Sequence, residues 1–308
     1  MGLRSGRRFY PHICCPMRTH HHDIAVLYNT WSAYELLDTG NRQKLERFGD
    51  HLLIRSEPKA WWQPARSTTE WQRAVATCDD EDHWRFHQPV AREWLLQFND
   101  LVLLAKCTDM SKHVGIFPEQ SAHWTWVQDA IRSARRQVHL LNLFGYTGIA
   151  SLIAAQAGAA VTHVDASKPA LAWARKNQEL SGLARAPVRW ILDDAIKFVK
   201  REGHRQRRYD AILLDPPSFG RGPKREIWKI DKHLPQLLAL CRHLLSDTPL
   251  FIVLTMYAIE ASSLIIGNLL ADMMHGCPGH IQVGELVLQQ TASEKKLPMA
   301  IFGRWEAS

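Results

Sequence analysis

The sequence predicts an α/β fold in which a mainly parallel sheet, layered between helices, follows a smaller α+β region. Three observations predict it. Strand-length apolar runs alternate with helix-length stretches from residue 138 onward. The last two runs, Ile281–Gln289 and Pro298–Trp305, are joined by the polar stretch Thr291–Lys296, which reads as an antiparallel hairpin and not as another crossover. Residues 31–111 carry shorter, strand-like runs rich in tryptophan. The alternation places strands at His139–Phe144, Ala160–Val164, Val188–Leu192, Ala211–Leu214 and Leu250–Thr255. Helices are expected over Gly148–Ala157, Pro169–Leu180, Ala195–Arg201, Ile227–Leu245 and Ala258–Met274.

Upstream, Glu119–Arg136 reads as a linking helix, because Trp124, Val127 and Ile131 fall on one stripe. Before it, Asp50–Ser56, Trp84–His87, Trp94–Phe98 and Leu101–Lys106 are strand candidates, with a turn at Asn99-Asp100. The expected organisation is a flexible arm over 1–30, an accessory α+β domain over 31–111, a linking segment and helix over 112–137, and the main domain over 138–308. Core packing explains most of the tryptophans, since each indole buries a large apolar area. Interleaving with Lys59, Arg66, Arg73 and Arg85 supports a second reading, a stacking surface for nucleic acid. Adjacent Trp61 and Trp62 would point to opposite faces of a strand, leaving one indole open to solvent.

Bulk properties narrow the class. With 308 residues, 46% hydrophobic and 22% charged, the chain can bury full cores. No apolar run approaches the roughly 18 to 20 residues of a membrane span, so no membrane partner is expected. A formal charge of +7 and a pI near 9.2 favour polyanionic partners. Six cysteines, two of them the adjacent Cys14 and Cys15, read as reduced thiols and point to the cytoplasm. Arg7, Arg8, His12 and Arg18 interrupt any secretory leader pattern. His20, His21 and His22 cannot all face one site in a regular element, so no metal is expected. Nothing in the pattern sets an oligomeric state.

The chemistry-bearing residues begin where Leu140-Leu141-Asn142-Leu143-Phe144 runs into Gly145-Tyr146-Thr147-Gly148. A glycine-bearing turn between strand and helix brings backbone amides close to a polar ligand. Thr147 is open to two readings, a helix cap or a ligand contact. The next strand ends at Asp165, about 20 residues on, where a carboxylate can accept from ribose hydroxyls. The turn lacks the G-x-G-x-x-G pyrophosphate cradle, which weighs against nicotinamide dinucleotides. After the third strand, Asp194 is favoured for the adenine because Ala195 begins the following helix; Asp193 either caps that helix or faces water. The fourth strand delivers Asp215-Pro216-Pro217-Ser218-Phe219, a stiff loop that presents the Pro216 carbonyl and a stacking ring.

In this order the elements resemble class I S-adenosylmethionine-dependent methyltransferases, most closely the bacterial large-subunit ribosomal RNA family that includes C5-cytosine and N7-guanine enzymes. The resemblance covers about Lys112 to Trp305. Gly115–Gln120 is similar to the family's entrance segment, with Glu119 and Ser121 where the familiar version has Asp and Arg. The resemblance implies a Rossmann-like seven-stranded methyltransferase domain with a mainly parallel sheet and a C-terminal antiparallel hairpin. It implies S-adenosylmethionine as cofactor, with its methionine end at Asn142, Phe144, Gly145, Tyr146, Thr147 and Gly148, its ribose at Asp165 and its adenine at Asp194 and Ala195. Asp215, Pro216, Pro217 and Phe219 would border donor and acceptor as the catalytic loop.

The implied reaction is methyl transfer to RNA, at a ribosomal RNA base nitrogen. Methylation at cytosine C5 needs a nucleophilic cysteine, and Leu254-Thr255-Met256-Tyr257 stands where the related C5 enzymes carry one. Phe219, Arg221, Lys224, Arg225 and Tyr257 are the expected substrate contacts, although Tyr257 fits aromatic packing equally. A second basic stretch, Lys197, Lys200, Arg201, Arg205, Arg207 and Arg208, is expected beside the acceptor opening. Other substrates, a small molecule or a protein, and a noncatalytic sensing or RNA-binding role are the competing readings.

Overall fold

The computed structural model describes residues 23–109, 111–257 and 261–308. The N-terminal part contributes β1 (Asp23–Tyr28), β2 (Tyr34–Gly40), β3 (Gln43–Phe48), β4 (His51–Ser56), the short α1 (Thr68–Trp71), β5 (Ala76–Cys78), β6 (Trp84–Phe86), β7 (Glu93–Phe98) and β8 (Leu101–Lys106). A 3-10 turn over Pro118–Gln120 leads into α2 (Ser121–Ser133). The alternating part follows as β9 (His139–Leu143), α3 (Ile149–Gln156), β10 (Ala160–Asp165), α4 (Lys168–Leu180), β11 (Val188–Leu192), α5 (Ala195–His204) and β12 (Ala211–Leu214). The last elements are β13 (Phe219–Arg221), β14 (Ile227–Lys229), α6 (Ile230–Arg242), β15 (Phe251–Tyr257), α7 (Ser263–Met273), β16 (Gly279–Gln289) and β17 (Lys296–Ala307).

One sheet organises the molecule, in the order β1-β16-β17-β15-β12-β9-β10-β11. Only β17 runs against its neighbours, so the expected parallel sheet and terminal hairpin are both present. Its central strands are apolar on both faces, as strands covered by helices on each side must be. Leu141, Leu143, Ile212, Leu214, Ile252 and Leu254 pack toward α5, α6 and α7. Leu140, Ala211, Leu213, Phe251 and Val253 pack on the opposite face toward α2 and α3. Each fully buried side chain of this size contributes roughly 1.5–3 kcal/mol relative to exposure.

Three sequence expectations change. Residues 1–22, with the histidine run and Cys14-Cys15, lie outside the described residues, but 23–28, expected as part of an arm, form an eighth strand parallel to β16. The partner strand permits this through Gly284, where an added Cβ would lie 1.8 Å from the Ala25 carbonyl oxygen. The helix expected from Ile227 starts at Ile230, because Ile227–Lys229 pairs with Phe219–Arg221 as a hairpin. The helix expected from Ala258 begins at Ser263, capped by Ser262; residues 258–260 lie outside the described residues.

The N-terminal region forms a five-stranded sheet, β2-β3-β4-β5-β6, and the separate hairpin β7-β8. Its hydrophobic core continues into the main sheet's helices, since Phe98, Leu101 and Leu103 share one cluster with Ile149, Leu152 and Ile153. The free edge of β8 is closed by side chains of α4 and the residue after it. Asn177 accepts from the Leu104 amide at 2.8 Å, the Trp173 indole donates to the Leu104 carbonyl at 2.9 Å, and Ser181 bonds Val102. Most tryptophans are buried or half-buried, as core packing predicts, while Trp61 is 82% exposed beside half-buried Trp62.

Candidate active site

The turn after β9 is shaped by backbone that few residues tolerate. Phe144, Tyr146 and Gly148 all have positive φ (58°, 49° and 82°), and a non-glycine residue in that region costs ~1–3 kcal/mol. A Cβ on Gly145 would lie 2.3 Å from the His163 imidazole, and one on Gly148 would lie 2.8 Å from Ala174. Beneath the turn, Asn142 donates to Ser151 at 2.9 Å and Ser151 bonds His163 at 2.9 Å. Burial presses the His163 pKa down to about 3, so this ring is neutral. Thr147 lines the cavity and does not cap α3. Its buried hydroxyl donates to the Gly115 carbonyl at 2.6 Å and ties the entrance segment to the turn.

Asp165 ends β10 and reaches back over this turn. The Tyr146 amide donates to its Oδ2 at 2.8 Å and the Ser167 amide to its Oδ1 at 2.7 Å. Burial raises the carboxyl above its ordinary value, against the pull of these backbone donors. After β11 the helix cap falls to Asp194 and not to Asp193. Asp194 caps α5 by accepting from the Lys197 amide at 2.9 Å, while Asp193 pairs with Arg201 and accepts from the Asp194 amide. Capping engages Asp194 Oδ1 and leaves its Oδ2 without a hydrogen-bond partner among the described residues. Ala195, the first residue of α5, is buried.

Asp215 follows β12, and a cavity joins it to Phe144, Gly145, Tyr146, Phe117 and Gln120. Gln120 Nε2 donates to Asp215 Oδ2 at 3.1 Å and to the Tyr257 hydroxyl at 3.0 Å, bridging three distant segments. Burial pushes the Asp215 carboxyl up to about 8; the Glu119 and Asp165 carboxylates add to the shift and Gln120 opposes it. Burial, with Glu119 and Asp215, likewise raises Tyr257 well above the usual phenol value. Glu119 is itself fully buried, with no hydrogen-bond partner for either carboxyl oxygen among the described residues. Gln120 was not singled out in the sequence; its signal was an amide side chain next to Glu119 in an otherwise apolar entrance segment.

Pro216 is buried and Pro217 exposed, and beyond them β13-β14 forms a small hairpin. Trp228 anchors it: the indole donates to the Pro217 carbonyl at 2.7 Å and packs 4.9 Å from the Phe144 ring. Because strand residues alternate, Phe219, Arg221, Ile227 and Lys229 occupy the other face, all exposed, with Lys224 and Arg225 exposed at the tip. None of these lines the cavity. The second basic stretch is partly neutralised, since Lys197 pairs with Glu226, Arg201 with Asp193 and Arg205 with Glu202.

The sheet order, the reversed β17, and the turn and carboxylates at the strand ends together define a Rossmann-like transferase fold. The family described as S-adenosylmethionine-dependent methyltransferase matches residues 73–264, more than half of the chain. A crystal structure of the SAM-dependent methyltransferase from Agrobacterium tumefaciens is 42% identical with a TM-score of 0.89, covering 94% of this chain and 97% of that one. Another solved chain, described as a methyltransferase complexed with SAH, is 19% identical with a TM-score of 0.69 over 89% of this chain and 75% of that one, a likeness of fold. The ribosomal RNA large subunit methyltransferase K/L of Desulfotalea psychrophila is 41% identical over 117 residues, 37% of this chain and 16% of that protein. The chain spans about a sixth of the curated relatives it matches. It belongs to the S-adenosylmethionine-dependent methyltransferase family, and S-adenosylmethionine is its cofactor.

The residues present fit that cofactor. The Gly145 and Gly148 positions have no room for a Cβ, so the turn keeps a bare backbone surface. Asp165 supplies acceptors suited to a ribose diol, and Asp215, which pairs with no cation among the described residues, suits a neighbouring positive sulfonium. No helix among the described residues is long and apolar enough to cross a membrane.

Proposed function

We propose that this enzyme methylates RNA at a base nitrogen, in a large-subunit ribosomal RNA. The observation that carries the reading is the Asp215 loop: its carboxyl shares a cavity with the Gly145 turn, and the loop continues directly into an exposed hairpin bearing Phe219, Arg221, Lys224 and Arg225. Bound S-adenosylmethionine supplies an electrophilic methyl on sulfur. Asn142, Phe144, Gly145, Tyr146, Thr147 and Gly148 form its methionine site, Asn142 and Thr147 by fixing the turn from beneath. Asp165 takes the ribose, and Asp194 with Ala195 takes the adenine.

Asp215 and the Pro216 carbonyl orient the acceptor amine, Pro217 stiffens the loop, and Phe219 stacks on the base. Tyr257 acts through Gln120 on Asp215. These groups align acceptor and methyl, which is most of what a transfer to a neutral nitrogen requires. Among the described residues no cysteine lines the cavity, and buried Cys241 lies in the hydrophobic cluster under α6, which supports nitrogen over cytosine C5. The name borne by the curated relatives supports ribosomal RNA as the substrate class. The division into an accessory domain at 31–111, a linking segment at 112–137 and a catalytic domain at 138–308 is part of this proposal, and so is a cytoplasmic setting, where such RNA would be met.

The test is transfer of labelled methyl from S-adenosylmethionine to unmodified large-subunit RNA, followed by digestion to nucleosides. An N-methylated nucleoside is the expected product. Label in 5-methylcytidine would overturn the nitrogen assignment, and label confined to protein or metabolites would overturn the RNA assignment.

A further inference from the structure

Of the twelve tryptophans, Trp61 alone is exposed, at 82%. Its position does not come from a loose loop. The buried Asp38 carboxylate accepts from the amides of Ala65 and Arg66 at 3.0 and 2.7 Å and from the Trp71 indole at 3.1 Å. Immediately on either side of Trp61, the Arg42 amide donates to the Ala60 carbonyl and the Asn41 amide to the Trp62 carbonyl, both at 2.8 Å. Ala60 is buried, and the Trp62 indole is held by Thr39 at 2.9 Å. A large apolar ring thus projects into water from a backbone secured before and after it, which lowers the backbone's ordering cost on binding.

The loop also stands at the site's edge of the sheet. Lys59 donates to the carbonyls of Pro298 and Met299 at 3.0 and 2.8 Å. These residues precede Ala300, which pairs with Tyr257, the residue that Gln120 links to Asp215. Lys295 donates to the Gln63 carbonyl at 3.3 Å, on the far side of Trp61. Neither ammonium has a carboxylate within 4.0 Å among the described residues, unlike Lys44, which lies near both Glu46 and Glu57. A solvent-exposed indole whose loop is tied down by Lys59 before it and by Lys295 after it, neither lysine in a salt bridge among the described residues, matches the chemistry of single-stranded nucleic acid, a base to stack and phosphates to hold.

We infer that Trp61 stacks on an unpaired base flanking the target nucleotide, with Lys59 and Lys295 contacting the adjoining phosphates. The inference rests on the RNA reading above and gives the accessory region its part in it. A duplex would hide the base faces, so the preference is for unpaired RNA.

The test is fluorescence anisotropy with a labelled oligouridylate of about a dozen nucleotides, a span within the range of single-strand sites. Trp61→Ala is expected to weaken binding by roughly tenfold and Trp61→Phe far less, with unchanged unfolding midpoints and unchanged affinity for S-adenosylhomocysteine. Replacing both Lys59 and Lys295 by Gln is expected to reduce the slope of log affinity against log salt by about 1.4. Equal binding by wild type and Trp61→Ala, while wild-type protein still labels RNA, overturns this inference and leaves the RNA reading standing. Failure of wild-type protein both to bind the oligonucleotide and to label any RNA overturns both.

Discussion

Gln120 Nε2 sits 3.1 Å from Asp215 Oδ2, 95 residues away in sequence, and the same nitrogen reaches the Tyr257 hydroxyl at 3.0 Å. One amide therefore couples the entrance segment, the loop after β12 and the end of β15. Its donated bond is the force that holds the Asp215 carboxyl down against burial and two neighbouring carboxylates, and the balance leaves the group near 8.

That value sets a pH dependence of stability. The folded-state pKa lies above the ordinary 3.8, so the native protein binds more protons than the unfolded chain between those values. Stability from the neutral carboxyl is full below the unfolded value and is lost as pH rises through about 8. Asp215→Asn lacks this loss, so its unfolding midpoint relative to wild type should rise on going from about pH 5 to about pH 9. A constant difference across that range would show that Asp215 does not titrate as described.

Cofactor affinity should carry the same signature. A positive sulfonium favours the ionised form of a nearby carboxyl, whereas the neutral sulfur of S-adenosylhomocysteine does not. Calorimetric affinity for S-adenosylmethionine is expected to rise several-fold as pH increases toward 8, with S-adenosylhomocysteine nearly flat. Gln120→Leu removes the opposing bond and should move the rise to higher pH. Parallel profiles for the two ligands would place the sulfonium away from Asp215.

Gly145→Ala tests the cradle. The new methyl would sit 2.3 Å from the buried His163 ring, which is fixed through Ser151, so the turn must shift. Overpacking of this kind costs roughly 1–3 kcal/mol, and thermal unfolding should show the loss together with weaker S-adenosylhomocysteine binding. An unchanged midpoint would mean that the turn has slack.

Asp165→Ala should lower affinity for S-adenosylhomocysteine by roughly tenfold to a hundredfold, the range for hydrogen bonds to a charged group. Isothermal calorimetry reads this directly. Wild-type affinity in the variant would remove Asp165 from the ribose site.

Replacing Arg221, Lys224 and Arg225 together by Gln should reduce the salt slope of RNA binding by about 2 and leave S-adenosylhomocysteine affinity intact. All three side chains are exposed and none lines the cavity. An unchanged slope would take RNA off the hairpin.

What the sequence disclosed was local in origin. The strands β9, β10, β12 and β15 were legible because both faces are buried, which leaves largely apolar runs such as Ala211–Leu214. The turn at Gly145 and the loop at Asp215 were legible because each motif is contiguous. Contacts made across long sequence distances were not. β1 depends on Gly284 making room for Ala25, and the hairpin β2-β3 turns through Asn41-Arg42, both at positive φ, where arginine gives no turn signal. Which of Asp193 and Asp194 caps α5 is a side-chain choice, settled by the position of the Lys197 amide and of Arg201.

The most direct measurement compares wild type and Asp215→Asn for methyl transfer to RNA, alongside S-adenosylhomocysteine affinity in the same preparations. Labelled RNA is expected with wild type, with a fall in transfer of about a hundredfold or more in the variant, as when a positioned acid–base or orienting group is removed, and unchanged affinity. Full transfer by Asp215→Asn would remove Asp215 from the reaction, and transfer to no RNA by wild-type protein that binds the cofactor would remove RNA as the substrate.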